Sequence, residues 1–387
     1  MSFSPLTEAL NLLEEQGLRR RRHVLKGPQG ARVMVGDMHC LSFSSNDYLG
    51  LANHAALVDT LKSAAAQYGL GAGSSHLAGG HMAPHHRLEE TLASFTGRQA
   101  ALLFSTGYMA NLGIVSALVG RNDEIFADKL NHASLNDAAL LSRARHSRYP
   151  HLDLSALEKR LAASRARRKL VVTDAVFSMD GDIAPVPELL ALCERHDALL
   201  LLDDAHGFGV LGRTGRGVLE HFGIAPSDRI IYMATLGKAA GVFGAFAAGP
   251  AELVDFLVQR ARTYIYTTAM PPALAAALST SLELIENEAW RQARLRQLIA
   301  ALKQGLKLER WRLMESITPI QPVIIGSNKE TLAVSEALRK RNICVPAIRP
   351  PTVPKGEARL RISLSAAHSD ADIARLVEAL NALERTL

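Results

Sequence analysis

Residues 199–207 read Leu199-Leu200-Leu201-Leu202-Asp203-Asp204-Ala205-His206-Gly207, an apolar run that ends in two carboxylates, a histidine and a glycine. Four aliphatic side chains without polar alternation are the pattern of a strand buried on both faces, as in the middle of a parallel sheet. A carboxylate at the end of such a strand is poorly hydrated and needs a cationic partner.

Outward from this stretch, short apolar or β-rich runs recur at residues 100–104, 124–127, 170–173 and 230–233. Helical patterns separate them, for example at 111–119 and from about Leu135. That alternation predicts an α/β fold whose sheet is mostly parallel, with helices on both faces. Residues 5–17 read as an amphipathic helix with Leu6, Leu10 and Leu13 on one face. After Pro271-Pro272 the composition turns rich in Ala, Leu and Arg through residue 308. A strand at 321–325, a helix at 329–340, a strand at 359–363 and a helix at 370–383 complete a smaller α+β domain. The expected division is an N-terminal helix and strand segment at 1–45, a large domain at 46–272 and a small domain at 273–387.

Each strand of the large domain is followed by polar residues. Thr106-Gly107-Tyr108 follow the first, Asn131-His132 the second and Ser178 the third. Asp203 and His206 follow the fourth, and Thr235 and Lys238 the fifth. Open α/β sheets bind ligands at the carboxyl ends of their strands, so these five clusters converge on one edge. Lys238 stands beside Ala239-Ala240-Gly241. A lysine desolvated among small residues has a lowered pKa and can form an imine. Asp203 offers the countercharge for a protonated pyridine nitrogen, which makes pyridoxal 5'-phosphate an electron sink. His206 is placed to reach the phenolate oxygen of that group. Thr106-Gly107-Tyr108 open a helix whose first amides suit a phosphate, and His132 can stack on an aromatic ring. Asp203 and His206 lack further ligands at a suitable spacing, so no metal is expected. Gly207-Phe208-Gly209-Val210-Leu211-Gly212 matches a dinucleotide-binding glycine pattern but runs into Arg213-Thr214-Gly215-Arg216-Gly217. That continuation breaks the helix the pattern must open, so it reads as a glycine-rich turn.

With 48% hydrophobic and 21% charged residues, the 387-residue chain can bury a large core. The net charge of +6 is scattered apart from Arg19-Arg20-Arg21-Arg22, which argues against a nucleic-acid partner. Cys40, Cys193 and Cys344 are too few and too far apart for a disulfide framework. The N-terminal stretch carries Glu8, Glu14 and Glu15 and no apolar signal region, and no apolar run is long enough to span a membrane. A cytoplasmic protein is expected.

Four segments carry a resemblance to a known family. They are Ser45-Asn46-Asp47-Tyr48-Leu49-Gly50, Phe177-Ser178-Met179-Asp180-Gly181-Asp182, Asp203-Asp204-Ala205-His206-Gly207 and Thr235-Leu236-Gly237-Lys238. The chain resembles the α-oxoamine synthases over nearly its whole length. These are pyridoxal-phosphate-dependent transferases of the aspartate aminotransferase-like fold, fold type I. Tyr266-Thr267-Thr268-Ala269-Met270-Pro271-Pro272, Ala347-Ile348-Arg349-Pro350-Pro351-Thr352-Val353-Pro354 and Arg359-Leu360-Arg361 narrow the likeness to members that condense L-alanine with a pimeloyl thioester of CoA or acyl carrier protein. The resemblance implies catalytic roles for Lys238, His132, Asp203 and His206. It implies cofactor contacts at Gly107, Tyr108, Ser178, Thr235, Thr267 and Thr268, with the last two lent by the partner in a homodimer. Substrate contacts fall on Arg19, Asn46, Arg349 and Thr352. The chain departs from the family pattern at His76, where many members have Arg, and at Ala234, where Gly is common. A glycine-using member of the family, a nicotinamide dehydrogenase and an anion-binding protein are the competing readings.

Overall fold

The structure, a computed structural model, describes residues 4–386. Helix α1 (Ser4–Glu15) leads into the antiparallel pair β1 (Arg32–Val35) and β2 (Met38–Ser42). Helices α2 (Ala55–Tyr68) and α3 (Ala83–Thr96) follow. The central sheet then uses β3 (Ala100–Phe104), β4 (Glu124–Asp128), β5 (Arg145–Tyr149), β6 (Lys169–Asp174), β7 (Leu199–Asp203), β8 (Ile230–Thr235) and β9 (Ala245–Gly249). Helix α4 (Gly107–Leu118) follows β3, and α5 (Ala133–Ser142) follows β4.

These strands form one seven-stranded sheet in the order β3-β9-β8-β7-β6-β4-β5. The pairs from β5 through β8 are parallel, whereas β9 runs antiparallel to both of its neighbours. Leu200, Leu201 and Leu202 have no exposed surface, as expected of a strand in mid-sheet. The core is the seam where Ile114, Val115 and Leu135 of the flanking helices meet Ile125, Leu170, Val172 and Leu201 of the sheet. Close approach is enforced at Gly113, where a Cβ would lie 2.4 Å from Thr263 Oγ1. The glycine-rich pattern at 207–212 opens no helix. Gly209, Gly212, Gly215 and Gly217 take positive φ angles of 80°, 85°, 80° and 88° through successive turns.

The remaining strands are β10 (Arg312–Leu313), β11 (Ile320–Gly326), β12 (Ile343–Cys344), β13 (Ala347–Ile348) and β14 (Ala358–Ser363). They make a four-stranded sheet, β10-β11-β14-β13, and β12 adds to the β1-β2 pair.

The chain divides into two units. The larger comprises Leu51–Ser178 and Ile183–Gln292. The smaller holds the described residues through Gly50, the short excursion Met179–Asp182 and the described residues from Ala293 onward. Both boundaries differ from the sequence expectation. The helix Pro272–Asn287, which follows the double proline, packs in the larger unit, with Thr280 bonded to Thr60 of α2 at 3.1 Å and Ser281 to the Ala240 carbonyl at 2.7 Å. Residues 46–50 belong to the smaller unit, where Ser365 Oγ donates to the Asp47 carbonyl at 2.7 Å. The excursion is fixed by Arg359, only 1% exposed, which donates to Asp180 Oδ1 at 2.7 Å.

Candidate active site

At the carboxyl ends of the larger unit's strands lies a cavity of about 200 Å³. Gly107 and Tyr108 enter it from the first turn of α4. Thr106 caps that helix, accepting the Met109 amide at 3.2 Å. The first amides of a helix have no acceptor within it and carry the positive end of its dipole, so Gly107 and Tyr108 face the cavity as donors for an anion. The Tyr108 hydroxyl is in turn hydrogen-bonded to Asp137 of α5.

His132 caps α5. Asn131 stitches the preceding loop to β6, donating to the Val172 carbonyl at 2.8 Å and accepting the Asp174 amide at 3.1 Å. The His132 amide then donates to Asp174 Oδ2 at 2.8 Å, and its Nδ1 lies 2.8 Å from Ser134 Oγ. Burial, more than any neighbouring charge, pulls the His132 pKa below the usual imidazole range and favours a neutral ring.

Asp174 and Asp203 are register partners at the ends of β6 and β7. Asp203, 4% exposed, accepts Asn111 Nδ2 at 2.7 Å and the Ala205 amide at 3.1 Å, so both donors are neutral. Asn111 also donates to Ser134 Oγ at 2.9 Å, while its own Oδ1 is buried with no partner among the described residues. Burial first, and then the adjacent Asp203 carboxylate, push Asp174 well above the usual carboxylate range. Asp203, buried with two neutral donors on its carboxylate, favours a cation placed beside it. Asp204 plays a different part. Its Oδ2 accepts the Tyr232 hydroxyl and the Val218 amide, both at 2.7 Å, and burial raises its pKa to about 7.

Lys238 sits in the turn after β8, with Nζ 2.8 Å from His206 Nε2. Thr235, the last residue of β8, donates its hydroxyl to the Gly244 carbonyl at 3.0 Å and lines the same cavity with Ser178.

Of the residues singled out from sequence, Gly107, Tyr108, His132, Ser178, Asp203, His206, Thr235 and Lys238 meet in this cavity. Thr267 and Thr268 do not line it; they lie just past the short helix Arg262–Ile265. Arg19, Asn46, Arg349 and Thr352 belong to the smaller unit. There, Arg19 and Arg349 line a second cavity of about 370 Å³ together with Glu14, Arg21, His23 and Arg339. Burial, then the Arg20 charge, lowers the Arg349 pKa. Arg20 also lies 3.4 Å from Thr352 Oγ1. Asn46 does not line that cavity; its Oδ1 accepts Arg361 and the Tyr48 hydroxyl, both at 3.1 Å. The sequence reading missed Asn111, Ser134 and Asp174. Asp174 carried a readable signal, since it ends an apolar strand as Asp203 does.

The cavity suits pyridoxal phosphate. It offers an amine for the aldehyde, helix-start amides for the phosphate and a carboxylate pair for the ring nitrogen. Comparison with known proteins agrees. Residues 38–380 match the family described as aminotransferase class I and II. An 8-amino-7-oxononanoate synthase of Nitrosospira multiformis is 62% identical over 99% of this chain and 96% of its own length. That of Nitrosomonas europaea is 60% identical over 98% and 99%. Among solved structures, serine palmitoyltransferase from S. paucimobilis with a bound PLP–myriocin aldimine superposes with a TM-score of 0.93 at 30% identity, covering 99% of this chain and 98% of the other. An 8-amino-7-oxononanoate synthase from Francisella tularensis gives 0.77 at 31% identity, covering 90% and 98%. The chain is thus a pyridoxal-phosphate enzyme of the class I and II aminotransferase family, and within it belongs to the 8-amino-7-oxononanoate synthases.

Proposed function

We propose that this chain joins L-alanine to a pimeloyl thioester with loss of carbon dioxide and the carrier thiol, giving 8-amino-7-oxononanoate. The product's own name divides its carbons. The seven-carbon acyl group supplies the chain through the ketone, and alanine supplies the amino-bearing carbon and its methyl. The observation that carries the reading is the cavity in which Lys238, paired with His206 at 2.8 Å, shares the strand ends with the buried Asp203.

Bound there, pyridoxal phosphate supplies a protonated ring that takes up the electron pair left on the α-carbon of alanine. Asp203 holds that ring nitrogen protonated, and Asn111 holds Asp203. His132, fixed by Ser134 and Asp174, would pack against the ring. Gly107, Tyr108 and Thr235 take the phosphate, and Ser178 and His206 take the phenolate side. The Lys238 amine would hold the cofactor. Left free when substrate is bound, that amine would remove the alanine α-proton. The α-carbon then bonds to the acyl carbonyl carbon as the thiolate leaves, the alanine carboxyl departs as carbon dioxide, and Lys238 returns a proton to the same carbon.

Arg349 is assigned to the distal carboxylate of the pimeloyl chain, with Arg19, Asn46 and Thr352 as further substrate contacts. Its closeness to the exposed Arg20 supports this, because a half-buried guanidinium with a second cation nearby favours an anion beside it. Thr267 and Thr268 are assigned to the phosphate site of a partner subunit. The exposed Leu6, Leu10 and Leu13 on α1 and the exposed Tyr266 beside the threonines are consistent with surface covered in a homodimer. A cytoplasmic location fits; no helix among the described residues is long and apolar enough to cross a membrane.

The experiment is a matrix of amino acids against acyl thioesters, on CoA and on acyl carrier protein, scored by product mass. Alanine with a pimeloyl thioester should dominate. Preference for glycine with a shorter acyl chain would overturn the reading.

A further inference from the structure

Five residues with metal-ligating side chains gather around the start of α3, and none of them lines the cofactor cavity. They are His76, His81, His85, His86 and Glu89. His86 and Glu89 stand three apart on the helix and so share a face. His81 precedes the helix by two residues, and its Nε2 lies 3.9 Å from Glu89 Oε2. One ligand atom from each of His81, His86 and Glu89 falls within 4.8 Å of the other two. His76, His81 and His85 satisfy the same limit.

The hydrogen bonds choose between the two trios. His85 uses both ring nitrogens for the fold: Nδ1 accepts the Met82 amide at 3.0 Å, and Nε2 lies 2.8 Å from the Met270 carbonyl. It has no lone pair to give a metal. His76 is stacked on Tyr264, ring centroids 4.7 Å apart, and its Nδ1 lies 2.9 Å from His81 Nδ1. Two ring nitrogens at that distance share one hydrogen. When His81 supplies it, His81 Nε2 must carry a lone pair, on the side facing Glu89. A histidine whose far nitrogen donates to a fixed acceptor is the usual arrangement behind a metal-bound imidazole.

We propose that His81 Nε2, a ring nitrogen of His86 and Glu89 Oε2 bind one divalent transition-metal ion of the zinc class, with His76 orienting His81 from behind. Two imidazoles and one carboxylate suit zinc, cobalt or nickel rather than magnesium or calcium. Three protein ligands leave room for water. Glu89 Oε1 is anchored by the Leu103 amide at 2.9 Å, which leaves Oε2 fixed toward His81. His86 is exposed, pairs weakly with Glu90 Oε1 at 3.5 Å and meets the His81 ring edge-on with centroids 5.7 Å apart, so a small side-chain turn brings it onto the ion. Such an ion would cross-link the segment before α3 to the helix itself.

The test is titration of untagged holoenzyme with Zn²⁺ by calorimetry, with bound metal counted after dialysis. One ion per chain should bind. His86→Ala, an exposed change that leaves the fold alone, and Glu89→Gln should each weaken binding by more than about 100-fold. His76→Ala should weaken it by about 10–100-fold, as for an orienting partner. Circular dichroism and the cofactor absorbance should match the parent protein in each case. Absence of a stoichiometric ion, or a His86→Ala protein that binds zinc as tightly as the parent, overturns the proposal, whichever other residues then hold the ion.

Discussion

Replacing Asp203 with Asn changes one atom and tests the electrostatic heart of the site. Asp203 accepts two donors, Asn111 Nδ2 at 2.7 Å and the Ala205 amide at 3.1 Å. An amide has one oxygen, so in either orientation its own NH₂ group faces a donor. One buried hydrogen bond is lost and two donors confront each other, for about 1–3 kcal/mol of stability. A domain with a typical ~5–15 kcal/mol in hand stays folded. The larger effect is on rate, because the cofactor nitrogen loses its countercharge. Removing one positioned electrostatic group costs about 10²–10³-fold. Asp174 limits the loss. Its raised pKa owes part of the rise to Asp203, so it ionises more readily once that charge is gone. The pair Asp174→Asn and Asp203→Asn should therefore fall further than the product of the two single effects. The assay is exchange of the alanine α-proton in deuterated water, read by mass and normalised to bound cofactor, with denaturant unfolding alongside. Exchange at the parent rate in Asp203→Asn refutes the reasoning.

Two further changes probe the substrate and the assembly. Arg349→Ala should lower kcat/KM for the pimeloyl thioester by roughly 10- to 100-fold, as for loss of a charge-assisted hydrogen bond in a half-buried site. A neutral acyl thioester of matching length should lose much less, and equal losses would assign Arg349 to structure alone. Mixing a Lys238→Ala chain with one altered at both Thr267 and Thr268 should restore activity through hybrid dimers that hold one intact site. No recovery after confirmed subunit exchange counts against shared sites.

The strands that carry chemistry were legible because each is a short apolar run closed by a polar residue, as in Leu199 to Asp203. Two strands of the seven-stranded sheet were not. β5, Arg145-His146-Ser147-Arg148-Tyr149, is polar because it lies at the sheet edge, where charge discourages pairing with another chain. β9, Ala245-Phe246-Ala247-Ala248-Gly249, is fully buried but rich in alanine, which has little strand propensity. It becomes a strand only because β3 and β8 stand on either side of it. Asn111 had no signal at all. It lies inside an apolar helix, and only the packing of α4 shows that its side chain reaches Asp203. The histidines around α3 were visible as letters, but their convergence depends on the turn that brings His76 back to His81.

The most direct measurement is borohydride reduction of the holoenzyme followed by peptide mapping. The account predicts a single pyridoxyl-modified peptide, with the label on Lys238, the amine that lies 2.8 Å from His206 in the strand-end cavity. In Lys238→Ala the covalent label and turnover should both vanish. Stoichiometric label on another lysine, with activity retained in Lys238→Ala, would contradict it.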